Sequence, residues 1–267
     1  MHTKALKHII TQRYTALKIA VRDIQKGFDK DAIHAFRVQV KKLRAFLRLL
    51  DLKLPGKIKM VYAAAGQIRD VQLQVKQIRK ASGNSAAPAE YLAVLEEQLK
   101  KRKAAFETVS KKNQFAGSKQ KLFKKLPSKL PFESIGQFLH GEIAAILALI
   151  NTGLKEDNDL HRTRKKIKDI IFINEIYQEA LEDHHGPKIL DPPVVKKALA
   201  LAKELGKFID KWVALSLLKP GSLTAIGPKE RNQLKSISRR WEAQKQALRK
   251  SVSGKLKSAA FRRALKG

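Results

Sequence analysis

One helical pattern with a single strip of basic residues occurs twice in this chain, and it limits the folds that the chain can adopt. The first copy reads HAFRVQVKKLRAFLR from His34 to Arg48, and the second reads HRTRKKIKDIIFINE from His161 to Glu175. On a helix that turns by about 100° per residue, the basic strip of the first copy stays within about 80° of arc, opposite a wide apolar side. The fold must therefore bury most of this helix and leave one narrow cationic ridge accessible.

The first ridge carries five basic residues and no acid: His34, Arg37, Lys41, Arg44 and Arg48. At a rise of about 1.5 Å per residue, it extends for about 21 Å. A solvent-exposed helical face usually mixes charges of both signs, because like charges at this spacing repel. Arginine binds phosphate oxygens as a bidentate fork, and lysine binds them as a mobile point charge. The ridge therefore indicates a binding surface for a long anion, with an ordinary solvated face as the alternative interpretation.

The charge balance of the whole chain supports an anionic partner. Lysine and arginine number 56 against 24 acidic residues, which gives a formal net charge of +32. Such an excess destabilises a compact chain unless an anion neutralises it, so nucleic acid, an anionic membrane and an inorganic polyanion are the candidate partners. The chain has no cysteine, which excludes disulfides, thiolate chemistry and cysteine zinc sites.

Proline- and glycine-rich punctuation divides the chain into long segments with a period of 3.6 residues, and no segment alternates as a strand does. The pattern predicts an all-α fold. We expect helices over 4–27, 31–52, 56–80, 88–110, 131–151, 157–183, 191–217 and 228–263, with a short turn over 118–126. Asp31 and Asp159 stand where N-caps are expected.

The sequence also bears on the compartment. The longest apolar run, Ile143 to Ile150, has eight residues, well below the roughly 18 that a membrane-spanning helix needs. The N-terminal segment is charged throughout and lacks the uninterrupted apolar region of a signal peptide. We therefore expect a soluble, cytoplasmic protein with no membrane partner.

The two halves of the chain share landmarks in the same order. His34 and His161 are each followed by arginine at the third position and by lysine at the seventh. The next predicted helix of each half carries a Gly-x-x-x-Asp element, Gly66–Asp70 in the first and Gly206–Asp210 in the second. We expect a single domain over 1–267 that consists of two four-helix repeats, 1–126 and 131–267, related by a pseudo-two-fold axis that brings the ridges face to face.

Further basic residues extend the candidate site. The second ridge consists of His161, Arg164, Lys165 and Lys168, and the third predicted helix aligns Arg69, Lys76 and Arg79 on one face. The second ridge is expected to be the weaker one, because Glu175 lies on it and is predicted to brace one of its cations. The two histidines are interpreted as phosphate contacts, with a structural hydrogen bond as the alternative. Asp70 and Asp210 are expected to orient basic side chains or to pair with them instead of binding a metal. His184 and His185 lack further ligands, so no metal site is expected.

These motifs resemble the CHAD family, the histidine-centred α-helical domain proteins. The resemblance rests on H-x-x-R-V-x-x-K-K-L-R at His34 to Arg44, Arg69-Asp70, L-H-x-x-R-K-x-x-K at Leu160 to Lys168, and L-G-x-x-x-D at Leu205 to Asp210. It covers nearly the whole chain. It implies two helical bundles with a basic central groove or pore, and binding of inorganic polyphosphate. In one departure from the pattern, Ile171 stands where the resemblance leads us to expect arginine.

Three functions remain to be weighed. The leading one is non-catalytic binding of polyphosphate, with no cofactor and with an association with polyphosphate granules left open. Nucleic-acid binding is the first alternative, and without a recognisable nucleic-acid-binding motif it would be non-specific. A polyphosphate-processing enzyme is the second alternative. It would need clustered carboxylates for magnesium, whereas the acids of this chain are few and scattered and no P-loop is present.

Overall fold

The computed structural model describes residues 1–83, 86–111, 115–181, 189–218, 223–224, 226–259 and 261. Within these residues the chain folds into helices joined by short connections, and the predicted all-α class is confirmed. The helices are α1 (Thr3–Gly27), α2 (Lys30–Leu49), α3 (Gly56–Ser82), α4 (Ala89–Lys111), α5 (Ala116–Phe123), α6 (Phe132–Asn151), α7 (Asp157–Leu181), α8 (Pro192–Ser216) and α9 (Pro228–Lys257).

The helix starts differ from expectation at two aspartates. Phe28 ends α1 in a left-handed conformation with φ of 56°. This leaves Asp29 as the N-cap of α2, where its carboxylate accepts hydrogen bonds from the backbone N–H groups of Asp31 and Ala32 at 2.6 and 3.1 Å. The prediction that Asp31 caps this helix is therefore wrong. Asp159 lies inside the first turn of α7 and accepts from the backbone N–H of Glu156 at 3.1 Å, the carboxylate half of a capping box.

The helix ends show one further difference. Helix α2 ends at Leu49 instead of residue 52, and Asp51 adopts a positive φ of 53° in the turn that follows. The predicted ends of the seventh and last helices, at residues 183 and 263, lie outside the described residues.

Helix α2 occupies the centre of the packing. Its apolar side, opposite the ridge, is buried through Phe36, Val40, Leu43 and Leu47, and the helix packs against α1, α3, α6 and α7. This packing positions the basic ridge, because the apolar side of the same helix belongs to the main hydrophobic core.

The helices pack in the same order in both halves. Consecutive helices contact one another from α1 to α4 and again from α6 to α9, while α5 lies against α1. Between the halves, α2 contacts α7, α3 contacts α8 and α4 contacts α9. This is the order that an internal repeat requires. The pseudo-two-fold relation and the boundaries of the repeats, 1–126 and 131–267, stay predictions.

Two glutamates join the ends of α4 and α9 reciprocally. The Glu230 carboxylate accepts hydrogen bonds from the backbone N–H groups of Glu90 and Tyr91 at 3.1 and 3.2 Å. The Glu90 carboxylate in turn accepts from the backbone N–H of Gly227 at 2.6 Å. Each acid thus satisfies N–H groups and complements the dipole at the start of the other helix, which fixes these helices of the two halves against one another.

Among the described residues, α6 alone has the length and apolar composition of a membrane-spanning helix. It packs against α7 and contributes Leu139, Ile146 and Ile150 to the core. A core helix of a soluble protein meets the same two criteria, so this feature by itself assigns no membrane.

Candidate anion-binding site between the two ridges

Arg37 lies flat across α3 at the glycine of the first Gly-x-x-x-Asp element. Its Nη1 donates a hydrogen bond to the carbonyl oxygen of Tyr62 at 3.3 Å, and its guanidinium carbon lies 4.5 Å from the centre of the Tyr62 ring. A Cβ at Gly66 would overlap Arg37 Nη1. Glycine at position 66 therefore makes room for the arginine of the first ridge, and a larger residue would displace its guanidinium.

The second half repeats this arrangement. Arg164 lies over Gly206 of α8, and its Nε donates to the carbonyl oxygen of Ala202 at 3.2 Å. Both acceptor carbonyls belong to the residue four positions before the glycine. A Cβ at Gly206 would lie 3.5 Å from Arg164 Nη2, an ordinary contact, so this glycine is less constrained than Gly66. The His-x-x-Arg and Gly-x-x-x-Asp landmarks are therefore two sides of one contact, which occurs in each half.

Lys41 lies at the point where the two ridges meet. Burial, followed by the charges of Arg37, Arg164, Arg44 and Lys168, lowers the pKa of Lys41 to about 7. Two of these four cations belong to α2 and two to α7. The ridges of the two halves thus face each other across Lys41, and the fields of these four cations add at this lysine.

The two histidines belong to the same group of charges. Burial and the neighbouring Lys165, Arg164, Lys41 and Arg44 lower the pKa of His161 to about 4. The pKa of His34 is lowered by burial and by Arg69, Lys41 and Arg37, with Asp31 opposing. The neutral form of both histidines is therefore favoured, and His161 is mainly neutral at pH 7. A bound polyanion would raise both pKa values.

We call this set the central cluster, and its members share mutual electrostatic contact: His34, Arg37, Lys41, Arg44, Arg69, His161, Arg164, Lys165 and Lys168. Within the described part of the chain, Lys41, Arg44, Arg69 and Lys165 form no hydrogen bond or ion pair. Lys168 lies 4.4 Å from the centre of the Phe172 ring. The cluster is therefore a concentration of positive charge in which these four side chains keep their hydrogen-bond donors available to a ligand.

Two aspartates border the central cluster. Burial and the charge of Asp210 raise the pKa of Asp70, while Arg37 and Arg69 oppose the rise. Burial also raises the pKa of Asp210, while Arg164, Arg69, Lys41 and His34 oppose it. Each aspartate thus lies in the field of the arginine that crosses its own Gly-x-x-x-Asp element. Neither aspartate forms an ion pair within the described residues, and their expected role in orienting basic side chains stays a prediction.

Arg48, the last residue of the first ridge, lies among acids. Its guanidinium forms ion pairs with the buried carboxylates of Asp169 on α7 and Glu142 on α6, the latter at 2.7 Å. Lys166 also approaches Glu142, at 3.4 Å. The charge of Arg48 is thus compensated within the protein, unlike that of Arg44 one turn earlier.

Glu175 pairs with the first half instead of bracing its own ridge. Its carboxylate lies 2.9 Å from the ammonium of Lys42, and Glu179 pairs with Lys42 and Arg13. The expectation that Glu175 pairs with Arg164, Lys165 or Lys168 is therefore corrected, although its charge still raises the pKa of Lys168 against burial. Ile171, the departure from the expected pattern, is fully buried.

We call the contacts of Lys42 with Glu175 and of Arg48 with Asp169 the crossing pairs. Lys42 and Asp169 are separated by 127 residues, as are Arg48 and Glu175, which is also the separation of the two histidines. In both pairs α2 supplies the cation and α7 the anion. The acids of the second copy thus make the crossing of α2 and α7 complementary in charge.

The three basic residues predicted on one face of α3 are separated in the structure. Arg69 belongs to the central cluster. Lys76 lines a groove toward α8 and α9, and Arg79 is exposed with its guanidinium 3.5 Å from Glu96 of α4. Of these three residues, Arg69 alone thus belongs to the central cluster.

Three aromatic residues that the sequence pattern did not single out contact the central cluster. Trp212 lies edge-on to the His161 ring, with centroids 5.8 Å apart, and Tyr62 and Phe172 lie beneath Arg37 and Lys168. All three lie within one turn of a landmark residue on the same helix, which is the signal that could have found Tyr62 and Trp212. The pair His184-His185 lies outside the described residues.

The described fold is all-α, and it brings cationic residues of the two histidine-led segments together at Lys41. The family model of the CHAD domain matches residues 8–219, and the chain belongs to this family. The crystal structure of the CHAD domain from the plant Ricinus communis is similar over 100% of this chain and 92% of that chain, with a TM-score of 0.76 and 18% sequence identity. The structure of PptA from Streptomyces chartreusis covers 100% and 99%, with a TM-score of 0.63 and 14% identity. No curated protein matches the chain.

Proposed function

We propose that this protein binds inorganic polyphosphate at the central cluster and that it does so without catalysis. The observation that carries the proposal is the convergence of cations from both halves on Lys41. Burial and these cations lower the pKa of Lys41 to about 7. The CHAD membership of the chain supports the same ligand class. Bound phosphates would supply the negative charge that the cluster lacks.

The position and chemistry of the free donors explain why a thin, flexible polyanion suits the central cluster. Lys41, Arg44 and Lys165 have donors that no described residue engages, and they come from two helices that face each other. Successive phosphates of a flexible chain can reach successive cations, so many weak contacts add up. Affinity should come from charge neutralisation and counterion release and should fall steeply with salt.

The proposal also holds that the protein does not cleave or transfer the phosphates it binds. Phosphoryl transfer or hydrolysis would be expected to use magnesium held by several carboxylates. The acids at the α2–α7 crossing are instead engaged by Lys42, Arg48 and Lys166. The two carboxylates at the central cluster, Asp70 and Asp210, lie in the fields of the neighbouring arginines. We therefore propose a binding protein of the cytoplasm, which an association with polyphosphate granules would suit.

Competition at about 0.15 M salt tests this proposal, because loose surface attraction is then screened beyond roughly 8 Å. Affinity should rise steeply from pyrophosphate and triphosphate to chains of ten or more units, and duplex DNA should compete weakly. Equal affinity for duplex DNA and long polyphosphate would favour non-specific nucleic-acid binding. Tight binding of triphosphate alone would indicate a small nucleotide-like site. Release of phosphate in the presence of magnesium would contradict the absence of catalysis.

A further inference from the structure

A second cationic groove lies between α3, α8 and α9. Its volume is about 500 Å³, and five basic residues and one acid line it: Lys76, Lys80, Lys207, Lys211, Arg240 and Asp210. Arg240 donates a hydrogen bond to the carbonyl oxygen of Ala81 at 2.9 Å, which holds its guanidinium at the rim. Five cations around one acid leave this groove with an excess of positive charge.

The floor of the groove is aromatic and rigid. The Trp241 side chain is buried, and the ammonium of Lys211 lies 4.8 Å from the centre of its ring. Burial and the nearby charge of Lys80 lower the pKa of Lys211, while Asp210 opposes the shift. The two lysines thus repel each other across a groove that a phosphate group would neutralise, as at the central cluster.

Asp210 connects this groove to the central cluster. It lines the groove, and it also lies in the field of Arg164, Arg69, Lys41 and His34. The path from the ridges to the groove therefore crosses one aspartate that has cations on both sides. An anionic chain that leaves the cluster along α8 would meet Lys207 and Lys211 next.

The outer wall of the groove comes from α9, which begins at Pro228. The match to the CHAD family model ends at residue 219, so Arg240 and Trp241 lie beyond it. We propose that the groove between α3, α8 and α9 is a second phosphate-binding site, which holds the segment of a polyphosphate chain that continues from the central cluster. This inference rests on the proposed function, and it adds a footprint that depends on the last helix.

The chain offers a direct readout because its two tryptophans report on the two sites. Trp212 contacts His161 in the central cluster, and Trp241 forms the floor of the groove. The variant W241F retains the first reporter and W212F retains the second. Tripolyphosphate should change the fluorescence of W241F alone, whereas long-chain polyphosphate should change the fluorescence of both variants.

Charge removal in the groove provides the matching affinity measurement. Lys76, Lys80 and Lys207 are exposed, and they form no hydrogen bond or ion pair within the described part of the chain. The variant K76Q/K80Q/K207Q should bind tripolyphosphate as the parent does and should lose about tenfold in affinity for long chains. A control of equal charge change, K4Q/K18Q/K100Q, alters exposed lysines of α1 and α4 and should keep the parent's affinity at both lengths.

The outcomes separate this inference from the proposed function. A parent protein that binds neither polyphosphate would overturn both. If the parent binds and the groove variant equals the control at both lengths, the groove is not a site and the central cluster stands. The groove assignment would also be wrong if the groove variant lost the same affinity for tripolyphosphate and for long chains. It would likewise be wrong if Trp241 fluorescence did not respond to long chains.

Discussion

The crossing pairs and the central cluster lie on the same two helices, and yet their charges are balanced in opposite ways. At one place, Lys42 and Arg48 of α2 meet carboxylates of α7 and α6. At the other, Lys41 and Arg44 meet cations of α7. Paired and unpaired cations alternate within a few residues of α2, and the turn of the helix directs them to different sides. The comparison teaches that cations which hold the halves together have partners, and those aimed at the meeting point of the ridges do not.

Removing the unpaired cations should produce the largest effect on binding. In K41Q/R44Q/K165Q, polyphosphate affinity at about 0.15 M salt should fall by roughly a hundredfold or more, and the salt dependence should flatten by about three released counterions. Arg37 stays in place because it packs on Tyr62 and Gly66. Isothermal titration at several salt concentrations measures both quantities.

The matched control for this variant is K4Q/K18Q/R22Q, which removes two lysines and one arginine from the exposed surface of α1. It changes the net charge by the same amount, so it should shift affinity only slightly through the overall field. If the control loses as much affinity as the cluster variant, binding depends on net charge and the central cluster has no special role.

Removing a paired cation should instead affect stability. Arg48→Met leaves the buried carboxylates of Asp169 and Glu142 short of a partner. Buried ion pairs broken in this way lose about 3 to 5 kcal/mol, and the partial exposure of Arg48 reduces the expected loss to about 2 kcal/mol. Urea unfolding measures it.

The same variant tests the earlier expectation that Arg48 contacts polyphosphate. Because the acids already engage its guanidinium, polyphosphate affinity of folded R48M should stay close to that of the parent. A loss as large as that of the cluster variant would move Arg48 into the binding site. The double variant R48M/D169N should recover part of the lost stability, since it removes one of the stranded charges.

Lys41→Met should stabilise the free protein and weaken ligand binding at the same time. The folded-state pKa of about 7 lies below the ordinary value of 10.5, so the folded protein binds fewer protons than the unfolded chain between these values. Stability of the parent should therefore rise with pH across this window, and K41M should lack that part of the slope. At pH 7 we expect a melting temperature higher by at least ~2 °C.

Thermal unfolding from pH 7 to 9 measures this effect, with Lys18→Met on the exposed surface of α1 as the control. Bound polyphosphate should reverse the ranking of K41M and the parent, because it stabilises the protein that binds it more tightly. A lower melting temperature for free K41M would show that Lys41 is well accommodated, which contradicts the uncompensated cluster.

Substitution of the two glycines should give the smallest effect on polyphosphate affinity. Gly66→Ala displaces the guanidinium of Arg37, while Gly206→Ala makes an ordinary contact with Arg164. We expect G66A to lose a few-fold in polyphosphate affinity, below about 1 kcal/mol, and G206A to equal the parent. Equal losses in both variants would indicate a general effect of alanine at these helix positions instead of displacement of Arg37.

Local signals in the sequence predicted much of this molecule. Proline and glycine punctuation located the helices, and the period of the apolar residues identified the buried side of α2. Ridge residues of both copies other than Arg48 lie close together at Lys41, and the two-fold relation that would bring them together stays a prediction. The matched Gly-x-x-x-Asp elements were recognised, although their reason, the arginine that lies across each glycine, needs the neighbouring helix.

Features that depend on which helices meet escaped prediction. Asp31 looked like an N-cap, and Asp29 fills that role because α1 ends in a left-handed residue just before it. Glu175 lies on the second ridge by angle, and its partner is Lys42 of the other half. Angular position along one helix gives the direction of a side chain, whereas its partner depends on the crossing of two helices.

A crystal structure of the protein with a bound polyphosphate chain of ten or more units would test the site most directly. Phosphate oxygens should lie within hydrogen-bonding distance of Lys41, Arg44 and Lys165, with cations of both ridges on the same chain. The crossing pairs should keep their carboxylate partners. A chain that is bound at Arg48 with its ion pairs broken, or that lies only on the outer face of α9, would contradict the assignment of the central cluster.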